Sequence, residues 1–158
     1  MVENLVAIEQ VRYLVLAAQR EGNRVLGALL SKIGMTTSQA EVLRILDEHG
    51  ALTLKELGEY VICEDASPSR LVAGMVSKGL LSRSISVRDK RAIDLSLTTA
   101  GQKFASDIKR IESNFYEQFA SLDASQVESL SQLLRLLISD TDASRKFEKR
   151  FPSQPLVF

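Results

Sequence analysis

Residues 67–98, SPSRLVAGMVSKGLLSRSISVRDKRAIDLSLT, change from a helical repeat to a strand repeat within one short stretch. The stretch opens with Ser67-Pro68, a strong helix start, because serine favours the N-cap and proline fits the first helical position. Val72 and Met75 then recur at helical spacing, and Gly79 marks the end of the helix. The sequence therefore predicts a short helix with one buried apolar face.

The second part of this stretch has the repeat of a β-hairpin. Residues 81–87 and 92–97 alternate with a period of two, which is typical of strands with one buried face. Arg88 to Arg91 lie between the two runs and form a charged hairpin tip. The face predicted to be half-buried contains Leu81, Arg83, Ile85, Val87, Ile93, Leu95 and Leu97.

Two shorter helices are predicted before this stretch. The polar cluster 36–38 is a candidate cap for a helix over residues 39–48, which Gly50 ends. Residues 51–53 could form a short strand, and Thr53 with Glu56 makes a capping box for the next helix. The residues predicted to point inward are Val42, Ile45, Leu46, Leu54, Leu57 and Val61.

Long amphipathic helices are predicted on both sides of this region. One runs from about residue 2 to residue 33, one from Thr98 to about residue 121, and one starts at the capping box of Asp123 and Gln126. The apolar stripe of the first helix runs nearly its whole length, so it needs a partner surface that a small domain can hardly supply. The helical pattern weakens after about Asp140.

Length and composition are those of an ordinary globular chain. With 158 residues the chain can form one domain with its own core. It has no apolar run long enough for a membrane span and no secretory signal pattern at its N-terminus. The single cysteine, Cys63, cannot form an intrachain disulfide, which favours a reducing compartment. We therefore expect a cytoplasmic protein with no membrane partner.

The charge is unevenly distributed along a neutral chain. Net charge is +0, but residues 67–103 contain seven basic and only two acidic residues. A basic stretch of this kind suits a patch that meets phosphates, and a plain solvated face is the alternative. The predicted outer face of the short helix carries small and basic residues, which leave room for a large anionic partner. These residues are Ser67, Arg70, Gly74 and Ser77.

Motifs of catalysis are missing from the sequence. It contains no zinc-protease, serine-hydrolase or phosphate-loop pattern, and one histidine with one cysteine allows few acid-base or nucleophilic arrangements. The sequence predicts no enzymatic activity, no catalytic residue and no cofactor.

The predicted order of helix, turn, helix and two-stranded hairpin is that of a winged helix-turn-helix. The hairpin has a Gly-Leu lead-in at residues 79–80, an Asp-x-Arg tip at 89–91 and a Leu-Thr-x-x-Gly exit at 97–101. With these motifs, and with Gln39, Val42, Leu43, Leu54, Glu56 and Leu57 in the preceding helices, the chain resembles the MarR family of bacterial regulators over about residues 7–137. The expected fold is mainly α with a small β-hairpin wing (α+β), with long N- and C-terminal helices.

This resemblance implies a domain organisation and a function. Residues 1–35 and 99–145 would form a helical dimerisation region, 36–98 the DNA-binding lobe and 146–158 a C-terminal tail. The chain would act as a homodimeric, sequence-specific transcriptional regulator on double-stranded DNA with a pseudo-palindromic operator. A small-molecule effector bound between dimerisation helices and DNA-binding lobes would change the affinity for DNA.

Candidate DNA contacts follow from the same resemblance. Arg91 of the Asp-x-Arg tip would reach into the minor groove, and Asp89 would pair with it to hold the tip. Arg88 and Lys90 would contact phosphates. On the recognition helix, Ser67 would act as a phosphate partner or as a cap only, and Arg70 would read a guanine or reach a phosphate. Ser69 and Ser77 complete the predicted set.

Three further readings stay open from sequence alone. Cys63 is a candidate redox sensor, but the neighbouring Glu64 and Asp65 would raise its pKa, and the sensing cysteines of the family's peroxide-responsive branch lie near the N-terminus. A buried structural thiol is the alternative. His49 suits a helix C-terminus, and no ligand-like spacing supports a metal site with it. The acids at 64–65 and the neutral net charge also fit a winged-helix protein-interaction module without specific DNA binding.

Overall fold

The structure, a computed structural model, describes residues 2–62, 67–117 and 121–152, and the side chains from residue 5 onwards. The helices are α1 (Val2–Ser31), α2 (Thr37–His49), α3 (Leu54–Gly58), α4 (Pro68–Ser77), α5 (Thr99–Tyr116), α6 (Ala124–Leu137) and α7 (Asp142–Arg150). The strands are β1 (Leu52–Thr53), β2 (Leu81–Ile85) and β3 (Ile93–Leu97). The chain divides into two compact units, residues 1–37 and residues 38–158.

The first unit is dominated by the single helix α1, which confirms the long N-terminal helix predicted from the sequence. The helix is 30 residues long and is followed by a turn at Gly34, whose φ is +72°. Large apolar side chains are exposed along much of α1. They are Leu5, Val6, Ile8, Val11, Tyr13, Leu14, Val15 and Leu16.

The second unit contains the helix-turn-helix and its core. Helices α2, α3 and α4 supply buried apolar side chains, which are Ala40, Val42, Leu43, Ile45, Leu46, Leu57, Val72 and Met75. The capping box of Thr53 and Glu56 forms as predicted, and Gly50 adopts a φ of +76° after α2. Leu54 was predicted to point inward, but it is 39% exposed because it is the first residue of a helix of only five residues.

The three strands form one antiparallel sheet in the order β1-β3-β2. Leu52 pairs with Leu95, Leu81 with Leu97, and Ile85 with Ile93. This small sheet beside a mostly helical chain confirms the predicted fold class, a winged helix-turn-helix.

The outer half of the hairpin is more exposed than its alternation predicts. Leu81 and Leu95 at the base are buried, whereas Ile85 is 69% and Val87 99% exposed. The prediction of a half-buried face was therefore wrong for Arg83, Ile85, Val87 and Ile93, which are all exposed. The hairpin extends beyond the core that covers its base, and period-two alternation cannot show where that cover ends.

Three helices complete the second unit. Thr98 caps α5 as predicted, but α5 ends at Tyr116. Residues 118–120, in the last part of the predicted helix, lie outside the described residues. Asp123 and Gln126 form the predicted capping box of α6. The sequence pattern did not predict α7. The predicted boundary at 145/146 between the helical region and the tail falls inside this helix.

The apolar stripe of α6 is largely uncovered within one chain. The leucines Leu130, Leu133, Leu134, Leu136 and Leu137 are all classed among its exposed large apolar side chains. Although α6 and α1 carry such stripes, no helix in the described residues is long and apolar enough to cross a membrane.

Candidate nucleic-acid interface

Helix α4 exposes the residues that the sequence predicted as DNA contacts. Val72 and Met75 are buried, while Arg70 and the serines at positions 67, 69 and 77 are exposed. Ser67 occupies the N-cap position, but its side chain makes no capping hydrogen bond. Its hydroxyl lies 2.8 Å from that of Ser69. The hydrogen bond expected if Ser67 were only a helix cap is therefore absent. The hydroxyl groups of Ser67 and Ser69 face solvent at the helix N-terminus.

The remaining polar side chains of α4 differ in whether they already form hydrogen bonds within the chain. The Ser77 hydroxyl donates to the carbonyl oxygen of Gly74 at 2.9 Å, so its proton is already used. Within the described part of the chain, no hydrogen bond or ion pair is recorded for the guanidinium of Arg70. Arg70 is thus the free cation on the exposed face of this helix.

The wing tip is shaped by Asp89. One carboxylate oxygen of Asp89 accepts the backbone N–H of Arg91 at 2.9 Å, and its carbonyl oxygen accepts the N–H of Ala92 at 2.9 Å. No ion pair joins the Asp89 carboxylate to the Arg91 guanidinium in the described residues, so the predicted pairing of these side chains was wrong, and the carboxylate binds the Arg91 backbone. Asp89 still holds the tip, and it does so without neutralising Arg91.

Arg91 and Lys90 are consequently exposed and free of carboxylate partners among the residues described. An exposed arginine on a rigid turn is suited to the narrow and electronegative minor groove. A flexible lysine beside it is a point charge suited to phosphate.

Arg88 is used differently from the way the sequence suggested. Its guanidinium donates to both carboxylate oxygens of Glu56, at 2.8 and 3.0 Å, and to Asp94 at 3.3 Å. This bidentate pair joins the wing to the start of α3, across 32 residues of sequence. The geometry favours Arg88 as an anchor of the wing over a phosphate contact.

The Arg88 guanidinium and the Thr53 backbone and hydroxyl groups lower the pKa of Glu56 from 4.5 to about 2. The same carboxylate therefore closes the capping box of α3 and binds Arg88. Asp94, only 5% exposed, is the second acid against Arg88. The Glu56 carboxylate therefore remains ionised at neutral pH, and the base of the wing is held by charge-assisted hydrogen bonds from Arg88.

The base of the wing is also tied to the end of α4. The Thr98 hydroxyl donates to the carbonyl oxygen of Gly79 at 2.6 Å, and the Thr98 N–H donates to that of Leu80 at 3.1 Å. Gly101 lies so close that an added Cβ would be 2.2 Å from the Leu80 carbonyl oxygen. The Leu-Thr-x-x-Gly motif thus fixes the strand β3 and helix α5 against the C-terminal end of α4.

Sequence reasoning missed the roles of Glu56 and Asp94 in this site. Glu56 carried a local signal, the capping box, but nothing in the sequence indicates that its carboxylate also meets Arg88 from the wing. Asp94 stood at a position that the alternation marks as polar, although it is buried. A pair joined only by tertiary structure leaves no short-range pattern.

Two other sequence candidates have a different standing. Cys63, Glu64 and Asp65 lie outside the described residues. His49 is the last residue of α2, and its ring stacks on that of Tyr60 with a centroid separation of 4.4 Å. Among the described residues no cluster of metal-ligand side chains is found.

Residues 35–93 match a family model described as MarR family. The matched range contains α2, α3, α4 and the wing tip with its Asp-x-Arg motif. Over these residues the chain is similar to the MarR family. The similar curated proteins include the organic hydroperoxide resistance transcriptional regulator of Bacillus subtilis (strain 168), which is 33% identical over 92 residues. That match covers 58% of this chain and 63% of the relative. The alignment therefore spans less than two thirds of that relative's length.

Solved structures share the architecture over most of the chain. A cysteine-to-serine mutant of MarR from E. coli, complexed with operator DNA, superposes with a TM-score of 0.72 at 25% identity. The match covers 83% of this chain and 95% of that one. BpsR from Bordetella bronchiseptica gives a TM-score of 0.70 at 20% identity, over 81% of this chain and 98% of that one, which is a likeness of fold.

Proposed function

We propose that this chain is a cytoplasmic, homodimeric regulator of transcription that binds a pseudo-palindromic DNA operator through α4 and the wing. The observation that best supports this proposal is the pair of exposed cations Arg70 and Arg91, which lie on neighbouring elements. Neither forms an ion pair with a carboxylate in the described residues. Their supports are rigid, since α4 is packed on the core by Val72 and Met75 and the tip is fixed by Asp89.

The roles of the contact residues follow from this geometry. Helix α4 lies in the major groove, where Arg70 contacts a base edge or a phosphate and the Ser67–Ser69 pair meets the backbone. Arg91 enters the flanking minor groove, and Lys90 contacts phosphate. Arg88 holds the wing through Glu56 and makes no primary contact with DNA.

The proposed dimer accounts for the uncovered apolar faces. Leucines exposed on α6 and apolar residues exposed along α1 form larger apolar surfaces than a monomer ordinarily leaves in water. A second copy of the chain is the partner that buries them. Two copies of α4 then read half-sites about one turn of DNA apart.

A small-molecule effector is part of the same proposal. It is supported by the family and by BpsR, whose DNA binding is described as regulated by 6-hydroxynicotinic acid. An effector changes the affinity for DNA only to the extent that it binds the two states of the dimer unequally.

The test is selection of bound sequences from a random duplex pool at near-physiological salt. We expect an inverted repeat with half-site centres about 10 base pairs apart. Arg91→Ala, run in parallel, should recover the same core with weaker selection of the flanking positions. Recovery of no motif by the wild-type chain, with binding that disappears as salt rises, would remove the operator from the proposal.

A protein-interaction module is the second candidate, because one observation favours it. The outer wing exposes Ile85, Val87 and Ile93, with Val87 99% exposed. Exposed apolar residues on a hairpin can dock another protein. Specific operator recovery with an unchanged affinity in Val87→Ser would count against this candidate.

Redox sensing through Cys63 stays a prediction. The name of the Bacillus subtilis relative, an organic hydroperoxide resistance regulator, gives a reason to test it. Treatment with an organic hydroperoxide should release DNA from the wild-type chain and leave Cys63→Ser bound. Equal release from both chains would exclude a role for this thiol.

A further inference from the structure

Helix α7 is attached to the helix-turn-helix by ion pairs at its C-terminal end. The Arg150 guanidinium donates to Glu41 of α2 at 2.8 Å. Both side chains are largely buried, with 14% and 8% of their surfaces exposed. Next to it, the Lys149 ammonium pairs with Glu59, just after α3, and lies 4.7 Å from the centre of the Tyr60 ring.

Glu41 also holds the chain that leads to the recognition helix. The oxygen Oε1 of Glu41, which Arg150 contacts, accepts the backbone N–H of Ile62 at 3.0 Å. Ile62 is the last described residue before the connection to α4. One carboxylate oxygen therefore joins α7 to the segment between α3 and α4. We call the contacts Arg150–Glu41–Ile62 the α7 link.

The other side of α7 meets α6. Glu148 pairs with Arg135, and the Arg135 guanidinium lies 4.7 Å from the centre of the Phe147 ring. Phe147 also lines an apolar cavity of about 300 Å³ with side chains of α6, among them Leu130 and Leu134. Helix α7 thus touches α6 on one side and the helix-turn-helix on the other.

We propose that Arg150 is a positioning residue for DNA binding: through Glu41 it holds the segment that leads into α4, and α7 thereby couples α6 to the recognition helix. The inference rests on the proposed DNA-binding function but concerns residues with no predicted DNA contact. It adds a physical route from α6 to Ile62, the last described residue before α4, since residues 147–150 of α7 contact α6 on one side and the helix-turn-helix on the other.

Because Arg150 and Glu41 are both largely buried, loss of either side chain of the α7 link is expected to disturb the other. If Arg150 is removed, the largely buried Glu41 carboxylate loses the Arg150 guanidinium, which is unfavourable. Turning to solvent then becomes more favourable for Glu41, and that change weakens the acceptor of the Ile62 N–H. Arg150 Nε is itself buried with no hydrogen-bond partner in the described residues. The ion pair therefore holds Arg150 and Glu41 in place although one N–H donor of Arg150 makes no hydrogen bond.

Hydrogen exchange of the DNA-free, full-length protein tests the link directly. Arg150→Met should accelerate exchange in a peptide covering residues 59–72 and leave a peptide covering 81–97 unchanged. Arg150→Lys, which keeps the charge, should restore most of the protection. The matched control is Arg145→Met on the same helix, because Arg145 is exposed and, among the described residues, forms an ion pair only with Asp142, three positions earlier.

Unchanged exchange over 59–72 in Arg150→Met would overturn the inference. Equal acceleration in all peptides would overturn it too, since Arg150 would then contribute only to global stability. Both outcomes are measured by hydrogen exchange in the absence of DNA, so they do not depend on the proposed function. A failure of the proposed function would instead appear as the absence of any selected operator for the wild-type chain.

Operator binding supplies the second readout. Arg150→Met should weaken binding about tenfold, the size of effect known for coupling residues without ligand contact. The slope of log affinity against log salt should stay that of the wild type, because no phosphate contact is lost. A shallower slope would make Arg150 a phosphate contact and overturn the positioning role. Arg145→Met should match the wild type in affinity and slope.

Discussion

At the scale of single residues, Arg91 is the side chain on which the proposed interface depends most. Its guanidinium is exposed, and the Asp89 carboxylate that could have neutralised it accepts a backbone N–H instead. We expect Arg91→Ala to lower operator affinity by about 1–3 kcal/mol and the salt slope by about 1. Fluorescence anisotropy titrations at several salt concentrations measure both quantities.

The control for this variant is Arg110→Ala. Arg110 is an exposed arginine of α5 that pairs with Asp107, so its loss removes the same charge from another place. Thermal unfolding of both variants should match that of the wild type. Equal affinities for the two variants would mean that Arg91 acts only through net charge and would remove the wing tip from the interface.

Glu56 gives a prediction about pH. Its pKa in the folded chain is about 2, compared with an ordinary value of 4.5, first of all because Arg88 donates to it. A lowered folded pKa means that the carboxylate stabilises the fold fully above about 4.5 and that this contribution is lost as pH falls towards 2. Since glutamine also completes a capping box, Glu56→Gln removes the charge and keeps the cap.

Urea unfolding between pH 6 and pH 2 checks this prediction. The stability difference between wild type and Glu56→Gln should shrink steadily below about pH 4.5. Glu128→Gln on α6 is the control, because Glu128 accepts a hydrogen bond from Gln132 and forms no ion pair within the described residues. A difference that is constant over this pH range would show that Arg88 does not bind Glu56 in solution.

The residue scale also shows which parts of the site the sequence can predict. The caps at Thr53 and Asp123 were predicted because donor and acceptor lie three residues apart, within one helical turn. The pair of Arg88 and Glu56 was not predicted, because it exists only once the sheet has brought the wing beside α3. Contacts within one helical turn can be predicted from short sequence spacings, whereas contacts between distant parts of the chain cannot.

At the scale of elements, two helical glycines differ in the space available for a side chain. An alanine Cβ at Gly101 of α5 would lie 2.2 Å from the Leu80 carbonyl oxygen, whereas one at Gly74 of α4 would meet nothing within 4 Å. We expect Gly101→Ala to destabilise the fold by about 1–3 kcal/mol through overpacking. Gly74→Ala should stabilise it by about 0.5–1 kcal/mol through helix propensity.

Chemical denaturation of the two variants gives both free energies of unfolding from their midpoints. The pair is its own control, because each variant adds one methyl group to a helix. If Gly101→Ala is as stable as the wild type, α5 does not approach the end of α4 as closely as the structure shows. The Leu-Thr-x-x-Gly motif would then lack its packing reason.

The elements differ in how far their sequence predicts them. Helices α1, α2, α4, α5 and α6 each carry apolar residues at helical spacing, so they were predicted to within a few residues at most ends. Helix α7 was not predicted, because its nine residues are mostly charged and only Ala143 and Phe147 are apolar. It is held by ion pairs with other helices, and those partners cannot be read from a local repeat.

At the scale of the whole molecule, the exposed leucines of α6 require an explanation. Leu133 and Leu136 are 60% and 70% exposed in the single chain, so they contribute little to its own core. The double variant Leu133→Glu/Leu136→Glu should therefore fold normally and fail to dimerise. We expect sedimentation to show a monomer, and operator affinity to fall about 100-fold or more because the second half-site is no longer linked.

The matched control is Val87→Glu, which places the same charge on the exposed apolar side chain of the wing and should leave the dimer intact. A double variant that sediments as a dimer would take α6 out of the interface and leave the apolar residues of α1 as the surface that a second copy covers. A monomer that keeps wild-type operator affinity would have a different meaning. The dimer would then exist, but α4 and the wing of one chain would read the operator alone, and the expected inverted repeat would be replaced by a single half-site.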